Sequence, residues 1–323
     1  MVKQEAKKRK KDLGIFYTPQ EVVDFIFSIL NIWKEKDDKK TGRWASRKHF
    51  PSVIDPAVGE GAFLKIACET GFTLPDWVFG LDIDENAVKK WREINLLEEF
   101  GGKNKDLEAH FFHQNGLLPI EWEQHKGKYK YKLKQKDISN QQFDAVVGNP
   151  PYGGVGLDEI TPELEKALFD FSIWKESVRK GVKEIADQLG LLEISINTKN
   201  KEKLRRFPIE LLFIDRFIQL AKPGGWIAII IPDGILANSN LHYVREFIAK
   251  KAKVEAIISL PRETFKNAGT SAKTSILFLR KLEEDEKISW DYPVFLASIE
   301  KIDREYFQSV ANLYKKFYNN RQL

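Results

Sequence analysis

Short apolar runs alternate with amphipathic stretches along most of this chain. Seven of the runs have the length of buried strands and are rich in β-branched, aliphatic or aromatic residues. Several of the stretches between them repeat apolar residues every three or four positions, which predicts helices. This alternation predicts an α/β fold: a mostly parallel seven-stranded sheet with helices on both faces. The predicted strands are residues 53–55, 78–84, 110–116, 143–148, 226–232, 254–259 and 275–280.

The first predicted helix begins near Thr18. Apolar residues recur at helical spacing over residues 22–30, and Thr18 before Pro19 is typical of an N-cap followed by proline at the first helical position. This start has two interpretations. The structural interpretation is a capped helix start. The functional interpretation is that the N–H groups at the helix N-terminus bind a carboxylate.

Composition and charge exclude several classes of protein. The chain has 323 residues, of which 42% are hydrophobic and 31% charged, as in ordinary globular proteins. Residues 1–12 carry six basic and two acidic side chains, so most of the net charge of +5 belongs to this segment. We expect a basic disordered leader over residues 1–13 and nucleic-acid binding only through local patches. The single cysteine and the lack of a long apolar run predict a cytoplasmic protein without membrane contact. The histidine spacing predicts no metal site.

The loop Asn149-Pro150-Pro151-Tyr152 directly follows the predicted strand at residues 143–148. In an open α/β sheet, ligands bind at the carboxyl ends of the strands. Prolines donate no N–H, so their carbonyls are available as acceptors, and the Asn149 side-chain oxygen adds another. Such a loop can bind an amino group while Tyr152 stacks on a planar ring. The same residues also fit a proline-rich turn closed by an aromatic side chain.

A glycine-rich turn follows the first predicted strand. Asp55 ends that strand, and Gly59 and Gly61 permit the backbone to approach a ligand closely before a helix begins. The turn lacks the Gly-Lys-Ser/Thr of a phosphate loop and the three glycines of a dinucleotide fingerprint. An acidic residue before the turn suits a ligand with an ammonium group, such as an amino-acid-bearing nucleoside. Asp82, 27 residues after Asp55, fits the acidic position that binds a ribose diol in βαβ nucleoside sites.

Three further segments each have two interpretations. Asn115 before Gly116 fits a contact with an adenine amino group or a plain Asn-Gly turn. Six lysines alternate along residues 126–136 and share one face of an extended segment, which fits contacts with nucleic-acid phosphates or protection of a strand edge. The insertion at about residues 153–206 fits a lid or DNA-facing lobe, or a solvated helical hairpin.

Taken in order, these segments resemble the adenine-N6 DNA methyltransferases, most closely the modification subunits of type I restriction systems. The resemblance covers a methyltransferase domain over about residues 14–281 and leaves residues 282–323 as a C-terminal extension. It implies a Rossmann-like fold of the S-adenosylmethionine-dependent methyltransferases. The matching segments are Phe-Tyr-Thr-Pro, Asp-Pro-Ala-Val-Gly-Glu-Gly-Ala-Phe-Leu, Gly-Leu-Asp-Ile-Asp, Asn-Pro-Pro-Tyr, Lys-Pro-Gly-Gly and Leu-Pro-Arg-Glu-Thr-Phe.

The resemblance implies S-adenosylmethionine as cofactor and DNA as substrate. Asn149 and the carbonyl of Pro150 would accept from the N6 amino group of a flipped adenine, with Pro151 in the same loop. Tyr152 and Phe265 would pack on the base. The lysines that we expect to contact phosphates are Lys128, Lys130 and Lys132. The cofactor would contact Tyr17, Thr18, Asp55, Ala57, Gly59, Gly61, Asp82, Ile83, Asn115, Gly116 and Asn149.

Two departures from the family pattern concern partners and function. Type I modification subunits usually carry a long helical domain before Tyr-Thr-Pro, and about a dozen residues precede it here. The sequence also indicates no separate target-recognition domain at the C-terminus. We therefore expect sequence choice to come from a separate specificity subunit, with a restriction subunit as a further partner, or this chain to be a fragment of a larger enzyme. Asn-Pro-Pro-Tyr also occurs in protein-glutamine and RNA methyltransferases. The open alternatives to DNA methylation are therefore methylation of a protein glutamine or an RNA base, and a catalytically silent cofactor-binding subunit.

Overall fold

A computed structural model gives the architecture of the chain. Tyr17, the lysine-rich segment 126–136 and most of the insertion at 153–206 lie outside the residues that it describes. The described residues are 18–42, 50–93, 96–100, 107, 110–118, 143–152, 165–167, 171–177, 180, 206–268, 272–288 and 291–321.

A central sheet organises the described structure, and all seven predicted strands belong to it. In chain order its strands are β1 (Val53–Asp55), β2 (Val78–Asp82), β3 (Phe111–His113), β4 (Phe143–Gly148), β5 (Ala221–Pro232), β6 (Ala252–Ser259), β7 (Thr274–Lys281) and β8 (Phe295–Ser298). They lie side by side in the order β3-β2-β1-β4-β5-β7-β6-β8. Strand β7 is antiparallel to both of its neighbours, and the other neighbouring pairs are parallel. The predicted α/β class with a mostly parallel sheet is confirmed.

The predicted number of strands was one too few, because β8 pairs in parallel with β6 at the edge of the sheet. This strand comes from the segment that the sequence assigns to a C-terminal extension. Its side chains alternate between half-buried and exposed, and Leu296 is 69% exposed. The sequence does carry a short apolar run there, at residues 294–297, so the missed strand has a local signal.

Helices cover both faces of the sheet. One core cluster contains side chains of α1, α2, α3 and α8, and a second contains side chains of α5 and α7 on the opposite face. The helices with defined bounds are α1 (Gln20–Thr41), α2 (Ala62–Glu69), α3 (Glu85–Glu93), α4 (Leu96–Glu99), α5 (Ile209–Leu220), α6 (Gly234–Ala237), α7 (His242–Lys251) and α8 (Arg304–Asn320), with 3₁₀ turns at Pro75–Trp77, Ser239–Leu241 and Arg262–Ala268. Residues 165–167 and 172–177 are also helical. None of these described helices is long and apolar enough to cross a membrane.

The two faces of strand β5 show why the buried strands appear in the sequence as unbroken apolar runs. Trp226, Ala228 and Ile230 point into one core cluster, and the intervening isoleucines belong to the other. Since successive side chains of a strand point to opposite faces, a sheet covered on both sides needs apolar residues at every position. The central strands are therefore fixed in place by both layers of helices, and their carboxyl ends form a rigid base for a site.

Helix α1 begins one residue later than the sequence predicts. Pro19 is its N-cap, and the Pro19 carbonyl accepts hydrogen bonds from the N–H groups of Val22 and Val23 at 3.1 and 3.3 Å. The side chain of Thr18 does not cap the helix, so its predicted N-cap role is wrong. Its hydroxyl has a different partner, which lies in the site described below.

Candidate active site

Asp55 lies at the carboxyl end of β1 and is only 1% exposed. Its Oδ1 accepts a hydrogen bond from the N–H of Ala57 at 2.9 Å. Gly148, the last residue of β4, packs directly against this carboxylate, because a Cβ at Gly148 would lie 2.5 Å from Oδ1. Burial raises the pKa of Asp55 well above its usual value; the Ala57 bond opposes this rise, and the charge of Asp82 adds to it. A desolvated carboxylate of this kind is suited to pair with a cation.

Asp82, at the end of β2, holds the glycine-rich turn that follows β1. One carboxylate oxygen accepts the N–H of Gly59 at 2.7 Å, and the other accepts the N–H of Asp84 at 2.8 Å. Burial raises the pKa of Asp82, and these backbone bonds oppose the rise. Gly59 and Gly61 adopt φ values of 51° and 89°, in the left-handed region that favours glycine. Asp82 therefore joins two neighbouring strand ends in addition to any contact with a ligand.

Ile83 follows Asp82 and is 59% exposed. An exposed apolar side chain thus lies in the sequence between Asp82 and Asp84, whose carboxylates both accept backbone N–H groups. Sites for small molecules combine apolar surface with a few fixed polar groups, and this combination suits a nucleoside.

The loop after β3 packs against the turn after β1. Oδ1 of Asn115 accepts the N–H of Leu117 at 3.0 Å, so Asn115 forms a turn of its own backbone. The neighbouring Gly116 has no space for a side chain, because a Cβ there would lie 1.8 Å from the carbonyl oxygen of Pro56. The turn interpretation of Asn115 therefore describes this geometry, and its predicted contact with an adenine stays a prediction.

A buried arginine of α5 fixes the same loop. Arg216 donates from Nε to the carbonyl of Gly116 at 2.9 Å and from Nη2 to the carbonyl of Leu118 at 2.7 Å. Burial lowers its pKa to about 10, and Asp215 opposes this shift. No motif spacing indicates Arg216. The signal in the sequence is an Asp-Arg pair in the middle of a mostly apolar helix, where a charge is retained only if partners satisfy it.

We predict that Gly116→Ala destabilises the protein and weakens nucleoside binding. The added methyl group meets a backbone oxygen that cannot move without shifting the turn after β1. Overpacking of this kind costs about 1–3 kcal/mol. Thermal unfolding checks the stability, and titration with S-adenosylmethionine checks the site.

The control for this prediction is Gly234→Ala in α6, where a Cβ would have no atom within 4 Å. That substitution should leave the unfolding temperature unchanged or slightly higher. Equal behaviour of the two variants would contradict the close packing of the loop against Pro56.

Asn149 follows β4, at the same edge of the sheet as Asp55. Its Nδ2 donates to the hydroxyl of Thr18 at 3.1 Å, which joins two segments 131 residues apart. Its Oδ1 is buried and has no hydrogen-bond partner among the described residues. Burial raises the pKa of Tyr152, and a hydrogen bond from the Asn149 side chain opposes this rise. The amide nitrogen is thus engaged by the protein, whereas the amide oxygen is left for another donor.

The two aromatic residues expected to stack on a base are in contact with each other. The rings of Tyr152 and Phe265 meet edge to face, with centroids 6.4 Å apart and planes at 80°. They are 0% and 1% exposed, respectively. The sequence predicts that Tyr152 stacks on a planar ring or closes the turn as an aromatic plug, and the buried ring fits the second interpretation in the structure as it stands. Because the Tyr152 ring is fully buried, a planar base can lie on it only after neighbouring side chains move, and Phe265, in the 3₁₀ turn Arg262–Ala268, is one of these neighbours.

The structure therefore brings most of the predicted residues to one edge of the sheet. Pro150 is buried and Pro151 half-buried in the loop that carries Asn149. Tyr17, Lys128, Lys130 and Lys132 lie outside the described residues. The described residues contain no group of three or more histidine, cysteine, aspartate and glutamate side chains able to hold a metal ion.

Comparison with known proteins identifies the fold and the family of the chain. The fold is shared with a Listeria monocytogenes protein assigned to the class I S-adenosylmethionine-dependent methyltransferases (TM-score 0.54, 19% identity, covering 93% of this chain and 71% of that one). More particularly, residues 76–265 match the family model of the Eco57I restriction-modification methylases. This match spans more than half of the chain, so the chain belongs to that family.

One sequence relative and one solved structure with the same fold come from restriction systems. The methylase subunit of the type I restriction enzyme EcoEI of Escherichia coli is 24% identical over 287 residues, which are 86% of this chain and 44% of the subunit. The type I restriction-modification methyltransferase subunit of Streptococcus thermophilus shares the fold with a TM-score of 0.53 and 16% identity, covering 93% of this chain and 53% of that one. The chain spans less than half the length of the curated relatives that it matches.

Proposed function

We propose that this chain transfers a methyl group from S-adenosylmethionine to the N6 amino group of adenine in DNA, as the methylating part of a restriction-modification system. The observation that carries this proposal is the buried Oδ1 of Asn149, which has no partner among the described residues. A buried acceptor left unpaired costs about 1–3 kcal/mol. A site keeps such an atom when a ligand supplies the donor, and the exocyclic amino group of adenine is a donor of this kind.

The reaction needs a nitrogen lone pair directed at the methyl carbon. Oδ1 of Asn149 and the carbonyl of Pro150 accept the two N–H groups of the amino group, which moves electron density onto the nitrogen and sets its orientation. When bound, S-adenosylmethionine would supply the methyl group as an electrophile on a sulfonium, whose sulfur would retain the C–S bonding electrons. The amino group then releases one proton to solvent. No side chain of the loop has to form a covalent bond.

The cofactor fits the carboxyl ends of β1 and β2. We infer that the buried Asp55 binds the ammonium group of its methionine part, because a carboxylate with a raised pKa is stabilised by a cation. Asp82, whose oxygens already accept two N–H groups, has acceptor capacity for a ribose hydroxyl. The exposed Ile83 offers an apolar surface for the adenine ring.

Entry of the substrate base requires a rearrangement at Phe265. A target adenine must leave the duplex to reach Asn149. In the described structure the rings of Tyr152 and Phe265 cover each other. We infer that the flipped base displaces Phe265 and takes its place against Tyr152, which would give the protein stacking contacts worth about 1–3 kcal/mol.

A labelled-methyl assay tests the proposal. The chain is incubated with methyl-labelled S-adenosylmethionine and DNA, alone and together with a type I specificity subunit, which is the expected partner. The expected product is N6-methyl-2′-deoxyadenosine, released from the DNA by digestion with nuclease and phosphatase and identified by chromatography. Label that is released by protease, or that appears only on RNA, would assign the site to another substrate. Cofactor binding without transfer to any of these acceptors would indicate a silent subunit.

A further inference from the structure

We propose that Thr18 is a positioning residue, which orients the carboxamide of Asn149 for the reaction. This inference rests on the function proposed above and concerns the same site. The contact that carries it is the hydrogen bond from Nδ2 of Asn149 to Oγ1 of Thr18, at 3.1 Å. Thr18 is 5% exposed and its side chain does not cap α1, so capping of the helix does not explain the buried hydroxyl.

A carboxamide has two ends of nearly equal size and opposite hydrogen-bonding character. Only the oxygen end can accept a hydrogen bond from an amino group. The nitrogen end carries N–H donors of its own and cannot accept one. Thr18 engages the nitrogen end and leaves Oδ1 without a partner among the described residues. A hydroxyl can both donate and accept, and here it accepts from Nδ2. With the hydroxyl used in this way, the carboxamide is held in the orientation in which Asn149 is able to bind its substrate.

The position of Thr18 in the fold supports this role. Thr18 precedes the N-cap residue Pro19, and the buried side chains of α1 anchor this helix in the core. Asn149 is fixed from the other side by β4, which is buried along its whole length. The hydrogen bond thus connects two rigid elements, as a preorganised site requires.

Two substitutions separate the hydroxyl from the shape of the side chain. Thr18→Val keeps the shape and removes the hydroxyl, and Thr18→Ser keeps the hydroxyl. We expect Thr18→Val to lower the single-turnover rate of methyl transfer by roughly 3-fold to 10-fold, the effect of one neutral hydrogen bond. The rate should fall by a larger factor than the affinity for S-adenosylmethionine, whose dissociation constant is measured separately because the family resemblance also assigns Thr18 to the cofactor site. Thr18→Ser should recover most of the lost rate. Thermal unfolding of both variants verifies that they are folded.

A double-mutant cycle tests whether Thr18 acts through Asn149. If it does, Thr18→Val has no further effect in the Asn149→Ala background, so the two effects are not additive. Additive effects would overturn the inference. A fall in cofactor affinity with an unchanged rate at saturation would also overturn it and would make Thr18 a cofactor contact only.

A spectroscopic readout is independent of the proposed activity. In protein labelled with ¹⁵N-asparagine, the side-chain amide signal of Asn149 is identified by its loss in Asn149→Ala. We expect this signal to shift in Thr18→Val and to stay near its original position in Thr18→Ser. An unmoved signal in Thr18→Val contradicts the inference. If the wild-type chain fails to methylate DNA, the proposed function is contradicted. The NMR shift still tests whether Thr18 orients the Asn149 carboxamide, because it does not depend on activity.

Discussion

Asn149→Ala is expected to lower the rate of methyl transfer by at least about 100-fold, which is the loss typical of removing one electrostatic contact to a reacting group. The substitution removes both the oxygen that accepts from the substrate amine and the nitrogen that donates to Thr18. Binding of S-adenosylmethionine should change little, because Asp55, Asp82 and the glycine turn stay in place. Single-turnover assays with DNA and titration with the cofactor measure the two effects separately.

The matched control is Asn312→Ala, which removes the same side chain from the exposed surface of α8. It should leave both the rate and the cofactor affinity unchanged. Full activity of Asn149→Ala would contradict the proposed mechanism. Loss of cofactor binding in parallel with the rate would mean that Asn149 serves the cofactor more than the substrate.

The sequence predicts those parts of the site that depend on residues close together in the chain. Gly59 and Gly61 adopt the left-handed conformations that their turn requires. Asp55 and Asp82 lie at the ends of adjacent strands, because buried apolar runs and the α/β alternation determine where parallel strands end. Local pattern and the regular geometry of the sheet are sufficient for these predictions.

The remaining features depend on contacts between distant segments. The bond between Thr18 and Asn149 spans 131 residues, and that between Arg216 and Gly116 spans 100. A local pattern cannot specify such pairs, since they arise only when the packed sheet brings its strand ends together. The same holds for the burial of Tyr152 by Phe265: an aromatic residue in a loop reads identically whether its ring is exposed or covered.

Asp55→Asn is expected to weaken binding of S-adenosylmethionine by at least about 30-fold, since losing one member of a buried charge pair costs about 2 kcal/mol or more. Asparagine has nearly the same shape and can still accept from the N–H of Ala57. The loss would therefore report the missing charge. Titration with S-adenosylmethionine and with a cofactor analogue that lacks the ammonium group measures it, and the analogue should bind wild type and variant about equally. Unchanged affinity for the cofactor itself would exclude Asp55 as the ammonium partner.

The same substitution should stabilise the chain without ligand, and the pH dependence has a defined sign. Burial raises the pKa of Asp55, so below about pH 4 the carboxyl is protonated in both the folded and the unfolded state and has no cost. Between the pKa of Asp55 in the unfolded chain and its higher pKa in the folded chain, the carboxyl is ionised mainly in the unfolded state. The free energy of unfolding therefore falls as the pH rises through this range. Asp55→Asn removes this penalty, and its unfolding temperature at pH 7 should exceed that of wild type, with the difference vanishing near pH 4.

A comparison at the surface separates burial from loss of charge as the cause of that gain. Asp285→Asn removes the same charge from an exposed position in the turn after β7 and should not change the unfolding temperature. If both variants gain equally, or if the gain of Asp55→Asn persists at pH 4, desolvation of Asp55 is not its source. If only Asp55→Asn gains, the fold tolerates a destabilising buried carboxylate beside Gly148, where any side chain would collide with it. Proteins retain such a cost where function needs the charge, so a variant that is more stable and no longer binds the cofactor would identify Asp55 as part of the site.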